Sequence, residues 1–333
     1  MSTPVFTPDG LLKQVEYASA ASSHSYPMII IPLVFPSCPS GERSSKDSTG
    51  AAKGESESEG EGANTSESTS VGSSAIIMAT RNPSKFKRGQ SRILQMPISP
   101  SQSSPSSLLL GINGILPDCV SLLQTARKEI YSIQSSYGAP TMSAAASTDS
   151  MTSESATAFS STRYAKRVAV AIADQCQRHS FGGGIRPFGA EMIVCGFDRD
   201  RVVGYVTQPS GSITGYHCIG INAKGHFGKV SSAEYVVGGE GRMREKILSF
   251  LSDRRTDGNA DLEDMTDDDI IRSRIKMAID ALIEVDPSSN GGHNSDQGKR
   301  DRMEMAKDVD LVVAHSSKGV FRLGEDQVRE FLR

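Results

Sequence analysis

The stretch that decides the fold of this chain is Phe6-Thr7-Pro8-Asp9-Gly10-Leu11-Leu12-Lys13-Gln14-Val15-Glu16-Tyr17-Ala18. Proline presets φ and glycine accepts a positive φ without steric cost, so Pro8-Asp9-Gly10 predicts a turn. From Leu11 to Ala21 no helix breaker occurs, and apolar residues recur at helical spacing. These signals predict a turn followed by a short amphipathic helix. An ordinary surface turn and helix would have the same local pattern.

Composition limits the classes of protein to consider. The 333 residues suffice for one large domain, and a net charge of −3 gives no basic field for nucleic acid. No apolar run is long enough to span a bilayer, and the N-terminus does not resemble a signal peptide. The five cysteines are scattered and form no CxxC pair. They predict buried free thiols rather than zinc ligands or disulfides.

Low-complexity segments interrupt the chain. They are rich in Ser, Gly, Glu, Thr or Pro and too poor in apolar residues to offset their ordering entropy. We therefore expect disordered insertions or loops at 36–74, 99–107, 141–162 and 287–301.

The segments between these insertions alternate between strand and helix patterns. The glycine-rich run at 238–242 lacks a nucleotide-binding spacing. The acidic run at 261–269 lacks the spacing of an EF-hand and predicts a solvated loop. Strands are predicted at 75–80, 108–112, 191–197, 202–207, 213–221, 310–314 and 319–323, and helices at 117–135, 163–179, 267–285 and 327–332. This order suits two sheets between helix layers, which is an α+β arrangement.

The N-terminal stretch fills every fixed position of the signature of proteasome α-type subunits, F-[ST]-P-x-G-x-L-x-Q-[VI]-E-Y-A, and the chain resembles that family. Further strings match the family in order. They are Asn113–Asp118 followed by Ala126-Arg127, Gly182–Gly189, Met192–Asp198, Gln208–Gly211 and Ile219-Gly220. The resemblance implies a single domain over residues 1–333, with the four-layer αββα sandwich of N-terminal nucleophile hydrolases. It implies neither a cofactor nor a metal.

Two features concern the subtype and the N-terminus. Pro117-Asp118 and the string at Ala18–Ala21 resemble the α-2 type. Almost nothing precedes the signature, so the tail that the family uses at its gate is shortened here. The family's aspartate in D-P-[SA]-G is replaced by Gln208.

The resemblance implies a non-catalytic subunit of the 20S core that contributes to ring assembly, substrate entry and docking of regulatory particles. Its partners would be other α subunits, β subunits and the C-termini of regulatory ATPases or caps, with no nucleic acid and no membrane. The cellular location that the resemblance implies is the cytoplasm and the nucleus. The gate and ring-entrance residues carried over are Phe6, Pro8, Gly10, Gln14, Glu16 and Tyr17.

A docking pocket for activators is also implied. The family's pocket lysine falls in an S-x-x-K-[IV] string, and aligning this string with Gln90–Ile93 places Arg92 at the lysine and Gly114 at the pocket glycine. An arginine keeps the positive charge and can bind a carboxylate through two parallel hydrogen bonds. The alternative is a surface arginine in a solvated basic patch with Arg81, Lys85, Lys87 and Arg88.

Two other functions stay open. The first is a regulatory or moonlighting protein that keeps the fold without entering a ring. The second is a β-type threonine protease, whose chemistry needs a threonine freed at the N-terminus so that its own amine acts as the base. The chain has no Gly-Thr dipeptide at which such a threonine would be released, and Ala79–Asn82 offers no acid after the strand.

Overall fold

The computed structural model describes the ordered segments between the low-complexity stretches. These are residues 6–8, 10, 12–35, 73–82, 91–98, 107–137, 161–182, 186–198, 201–219, 231–232, 234–258, 266–284 and 304–332. The predicted insertions lie almost entirely outside them. At the margins of three insertions the structure begins regular elements, because Ser73 and Ser107 start strands and Ser161 starts a helix.

Helices and strands alternate along the described chain. The helices are α1 (Lys13–Ser23), α2 (Leu116–Tyr137), α3 (Ser161–Phe181), α4 (Gly241–Gly258), α5 (Asp267–Glu284) and α6 (Glu325–Glu330). The strands are β1 (Met28–Phe35), β2 (Ser73–Arg81), β3 (Ile93–Pro97), β4 (Ser107–Gly114), β5 (Ala190–Phe197), β6 (Arg201–Thr207), β7 (Ile213–Ile219), β8 (Ser231–Ser232), β9 (Tyr235–Val237), β10 (Val309–His315) and β11 (Gly319–Leu323).

The strands form two antiparallel sheets. One has the order β11-β10-β2-β1, with β8 and β9 both pairing to the free side of β1. The other has the order β3-β4-β5-β6-β7. The mixture of helices and antiparallel sheets confirms the α+β prediction.

Three apolar clusters form the core. One lies between the first sheet and helices α4 and α5, and a second between the other sheet and helices α2 and α3. The third lies between the two sheets and includes Met28, Ile76, Leu109 and Ile193. Each sheet therefore buries both faces, which explains why β1 and β4 are apolar at nearly every position instead of alternating.

Proline 32 lies inside β1, which the sequence did not predict as a strand. The pairing of β1 with β8 and β9 follows one register, Leu33 opposite Ser232 and Ile30 opposite Tyr235. Pro32 is not among the described pairs on this side of β1, and on the other side it lies opposite Ile76 of β2. Proline has no N–H to donate to a ladder, so its presence argues against a central strand in a reading of the sequence.

The structure confirms most of the remaining predicted elements. The hairpin of β10 and β11 and the pairing of β5 with β6 are present in the predicted places. In the glycine-rich run, Gly238 and Gly239 are buried at positive φ, and Gly241 begins α4. Of the loop predicted at 261–269, residues 267–269 instead form the first turn of α5, and residues 261–265 lie outside the described residues. Strand β3 and helix α4 were not predicted. Among the described residues, no helix combines the length and apolarity needed to cross a bilayer.

Candidate functional site

The N-terminal turn has the predicted geometry. The Gly10 N–H donates to the Thr7 carbonyl over 2.9 Å, and Gly10 has a φ of 76°. Phe6 and Leu12 form an isolated antiparallel bridge across this turn, and α1 begins at the next residue, Lys13. The turn thus leads directly into the helix, as the sequence predicted.

The six gate and ring-entrance residues share one property, which is exposure. Phe6 is 54% exposed and Tyr17 is 68% exposed. The same helix buries Ala18 and Ser22 against the domain. The other members of the set are also exposed: Pro8, Gly10, Gln14 and Glu16. The buried face holds α1 in place while the signature residues remain available to a partner.

Helix α1 packs where the sheet of β3–β7 meets the start of α2. A Cβ added at Gly189 would lie 2.7 Å from Ile115 Cδ1 and 3.4 Å from Ala21 Cβ. The last residue of the G-G-x-R-P-[FY]-G-like string is therefore favoured to be small, because the Ile115 side chain approaches so closely.

Arg186 of that string binds the first turn of α2. Its Nη1 and Nη2 donate to the two carboxylate oxygens of Asp118, each over 2.7 Å, and the Gly189 N–H donates to Asp118 Oδ2 over 2.8 Å. Burial of Asp118 would raise its pKa, but these hydrogen bonds outweigh burial and hold the pKa below its usual value. The carboxylate also lies at the positive end of α2, where a negative charge is stabilised. Asp118 therefore fixes the position of the loop relative to α2.

Gly114 ends β4 beside this loop. Its φ is 104°, and a Cβ there would lie 2.3 Å from the Gly189 carbonyl oxygen. The N–H of the following residue, Ile115, donates to the same oxygen over 2.9 Å. No other residue type fits the position without moving the backbone.

Arg92 lies at the same end of β4. The Ile112 N–H donates to the Arg92 carbonyl over 2.9 Å, so Arg92 is opposite a residue only two positions before Gly114. Burial lowers the pKa of Arg92. Arg92 Nη1 is buried and has no hydrogen-bond partner among the residues that the structure describes.

One member of the predicted solvated basic patch lies within the described residues beside Arg92. Arg81 is 6% exposed; its guanidinium lies 5.3 Å from the centre of the Tyr26 ring and 3.9 Å from Asp308. Arg81 therefore cannot belong to a solvated patch, which corrects that part of the alternative. The remaining members, Lys85, Lys87 and Arg88, lie outside the described residues.

A set of residues that the sequence did not reveal holds the chain just before β3. The Ser91 hydroxyl donates to Asp310 Oδ2 over 2.5 Å, and the Arg92 N–H donates to the same oxygen over 3.2 Å. Arg322 Nη1 lies 3.4 Å from the other oxygen of Asp310. Ser91 and Asp310 are 219 positions apart, so no local pattern could have connected them.

The three cysteines whose side chains the structure describes are not poised for chemistry. Cys119, Cys176 and Cys195 are buried free thiols, which confirms the prediction for these three. Burial raises the pKa of Cys119 to about 11 and the pKa values of Cys176 and Cys195 to about 12. These thiols stay protonated and unreactive at neutral pH. Within the described segments no group of three or more His, Cys, Asp or Glu could hold a metal ion.

Comparison with known proteins agrees with the motifs. The model of the family "Proteasome subunit" matches residues 145–235. The chain is 25% identical over 158 residues to proteasome subunit alpha type-7 of Dictyostelium discoideum, covering 47% of this chain and 45% of that protein. It is 32% identical over 149 residues to proteasome subunit alpha type-8 of Mus musculus, covering 43% and 48% respectively.

Residues 145–235 are thus similar to the proteasome subunit family, and the relatives just named are α types. It spans about half the length of the two relatives just named. A shorter match of 41 residues, 42% identical, joins it to proteasome subunit alpha type-2 of Drosophila melanogaster and covers 12% of this chain and 18% of that protein. Because the relatives include types 7, 8 and 2, they do not select one subtype.

Proposed function

We propose that this proteasome subunit is a non-catalytic member of the α ring of the 20S core, acting in ubiquitin-dependent protein degradation in the cytoplasm and nucleus. The observation that carries the proposal is the N-terminal turn and helix. This element is anchored by Ala18 and Ser22, while Phe6 and Tyr17 remain exposed. Because these two exposed rings both lie in the signature stretch, we assign them to a contact with a neighbouring subunit.

The layer arrangement supports the fold that this role requires. The two sheets face each other through one apolar cluster, and each packs its other face on helices. We assign this arrangement to the four-layer αββα sandwich of N-terminal nucleophile hydrolases. Residues 1–333 then form a single α-type domain that carries the low-complexity segments as insertions.

The absence of proteolytic chemistry is the second part of the proposal. A β-type protease needs a threonine at a free N-terminus and an acid after the second strand. At that place β2 ends in Arg81, which is buried and faces Asp308. The matched relatives are α types, which favours a structural role in the complex over a catalytic one.

The third part is a docking pocket for the C-terminal carboxylate of a regulatory ATPase or cap. Support for it is that Arg92 and Gly114 both lie at one end of β4 and that Arg92 Nη1 lacks a partner in the described structure. A buried guanidinium N–H without an acceptor costs free energy, and a ligand carboxylate would remove that cost. Neighbouring α and β subunits would complete the pocket.

Assembly is tested first. A tagged copy of this chain, expressed in the cells of origin, should co-migrate on native gels with the peptidase activity of the core. A free or unrelated species would instead favour the regulatory or moonlighting protein. An N-terminal threonine detected by mass spectrometry would favour the β-type protease.

Docking is tested on assembled particles. Arg92→Ala should leave assembly and basal peptidase activity intact but reduce stimulation by C-terminal activator peptides about tenfold, because a charge-assisted pair is lost. Arg163→Ala, which removes an exposed arginine on α3, is the control and should change nothing. Equal effects of the two substitutions would remove Arg92 from the pocket.

A further inference from the structure

One carboxylate joins the two sheets directly in front of β3. Asp310 belongs to β10 in the sheet of β1 and β2, whereas Ser91 and Arg92 lead into β3, the edge strand of the other sheet. Asp310 Oδ2 accepts the Ser91 hydroxyl over 2.5 Å and the Arg92 N–H over 3.2 Å. The Asp310 side chain is 11% exposed, so water competes little for these hydrogen bonds.

The charge of Asp310 is balanced by a different residue. Arg322 on β11 places Nη1 3.4 Å from Asp310 Oδ1, and its Nη2 donates to the Ile93 carbonyl over 2.6 Å. Arg322 thus links the carboxylate to the first residue of β3. Asp310 thus accepts a hydrogen bond from the main chain of Arg92 and forms an ion pair with Arg322.

The Arg92 side chain is separate from this pairing. Asp310 binds the Arg92 N–H and pairs its charge with Arg322. Within the described part of the chain, Arg92 Nη1 is buried and has no acceptor.

We propose that Asp310 is a positioning residue for Arg92. Together with Ser91 and Arg322 it fixes the main chain in front of β3, and it leaves the Arg92 guanidinium free for an incoming carboxylate. This inference rests on the proposed docking function of Arg92. It adds a determinant of affinity that lies on another sheet and does not touch the ligand.

The test uses assembled core particles and a synthetic peptide with the C-terminal sequence of a regulatory ATPase. Asp310→Asn leaves one oxygen where two are needed, so the peptide concentration for half-maximal stimulation should rise about fivefold to tenfold. Maximal stimulation and basal activity should stay near the wild-type values. Asp268→Asn, which removes an exposed aspartate paired with Lys318, is the matched control and should have no effect.

A double substitution separates positioning from general damage. In particles that carry Arg92→Ala, adding Asp310→Asn should cause no further loss, because Asp310 acts through Arg92. Ser91→Ala removes one donor without changing charge and should give a smaller shift in the same direction. If Asp310→Asn blocks assembly, the peptide concentration for half-maximal stimulation of the Ser91→Ala particles tests the positioning role instead.

The outcomes distinguish two failures. If Arg92→Ala leaves stimulation unchanged, the docking function itself is wrong. If Arg92→Ala reduces stimulation while Asp310→Asn and Ser91→Ala behave as the wild type, only the positioning role is wrong. Additive losses in the double variant would also overturn it.

Discussion

The Asp118 carboxylate and the Arg186 guanidinium meet through two parallel hydrogen bonds, each 2.7 Å long. Asp118 is 5% exposed, whereas the Arg186 side chain is 63% exposed. The pair connects the first turn of α2 with the loop before β5, across 68 positions of sequence. It explains why the two family-like strings that carry these residues occur together in one chain.

The first prediction concerns this pair. Asp118→Ala leaves the Gly189 N–H without an acceptor and should lower the free energy of unfolding by about 2–3 kcal/mol. The control is Glu129→Ala on the same helix. Glu129 pairs with Arg167 on the surface, so its loss should cost less than about 1 kcal/mol. Urea denaturation measures both variants, and equal losses would show that the Asp118 pair has no special role.

The second prediction compares two glycines. Gly114→Ala places a Cβ 2.3 Å from the Gly189 carbonyl oxygen at a φ of 104°, and it should cost about 3 kcal/mol or more. At Gly241 an added Cβ meets nothing within 4 Å, so Gly241→Ala should be neutral or stabilise by up to about 1 kcal/mol. Thermal unfolding measures both variants, and a larger loss of stability for Gly241→Ala than for Gly114→Ala would contradict the structure.

The third prediction concerns pH. His315 is 3% exposed, and its Nδ1 accepts hydrogen bonds from the N–H groups of Ser317 and Lys318. Burial and the nearby Lys318 cation lower the pKa of His315 below 6.5, although Asp267 and Asp268 oppose the shift. The folded state therefore binds this proton less readily than the unfolded chain. The contribution of neutral His315 to stability is therefore complete above about pH 6.5, and it is lost as the pH falls through the folded-state pKa of His315.

A substitution isolates this contribution. His315→Asn keeps an oxygen that can accept the turn N–H groups but removes the titration. The wild-type chain should lose more free energy of unfolding than the variant between about pH 7.5 and about pH 5.5. Identical pH profiles would mean that His315 does not titrate in this range.

The fourth prediction concerns assembly. Tyr17→Ala should change the free energy of unfolding by less than about 0.5 kcal/mol, because the ring is 68% exposed. It should nevertheless reduce incorporation into core particles about fivefold, since exposed aromatic anchors dominate interfaces. Tyr131→Ala is the matched control, an aromatic ring 70% exposed on α2. Normal incorporation of the Tyr17 variant would contradict the proposed interface.

The fifth prediction concerns the turn before α1. Gly10 has a φ of 76°, and an added Cβ would meet no atom within 4 Å. Gly10→Val therefore adds only backbone strain, about 1–2 kcal/mol, and this strain should alter the turn rather than unfold the domain. We expect disordered gating, seen as a changed basal peptidase activity of assembled particles. Unchanged incorporation together with unchanged basal activity would remove the turn from the gate.

The sequence by itself determined the features that depend on neighbouring residues. The turn at Pro8–Gly10 follows from two backbone preferences, and α2 and α3 follow from apolar residues at helical spacing. The hairpin of β10 and β11 and the strand pair β5 and β6 are joined by short turns, so local signals suffice there as well. The low-complexity segments are visible from composition.

Only the tertiary structure decided the features that depend on distant residues. Strand β1 is apolar at every position but contains Pro32, a residue that argues against a central strand, so the sequence did not predict it. The roles of Asp118 and Asp310 depend on partners that the chain brings close only after both sheets have formed. Side-chain hydrogen bonds across such separations leave no local trace in the sequence, because folding rather than chain position creates the proximity.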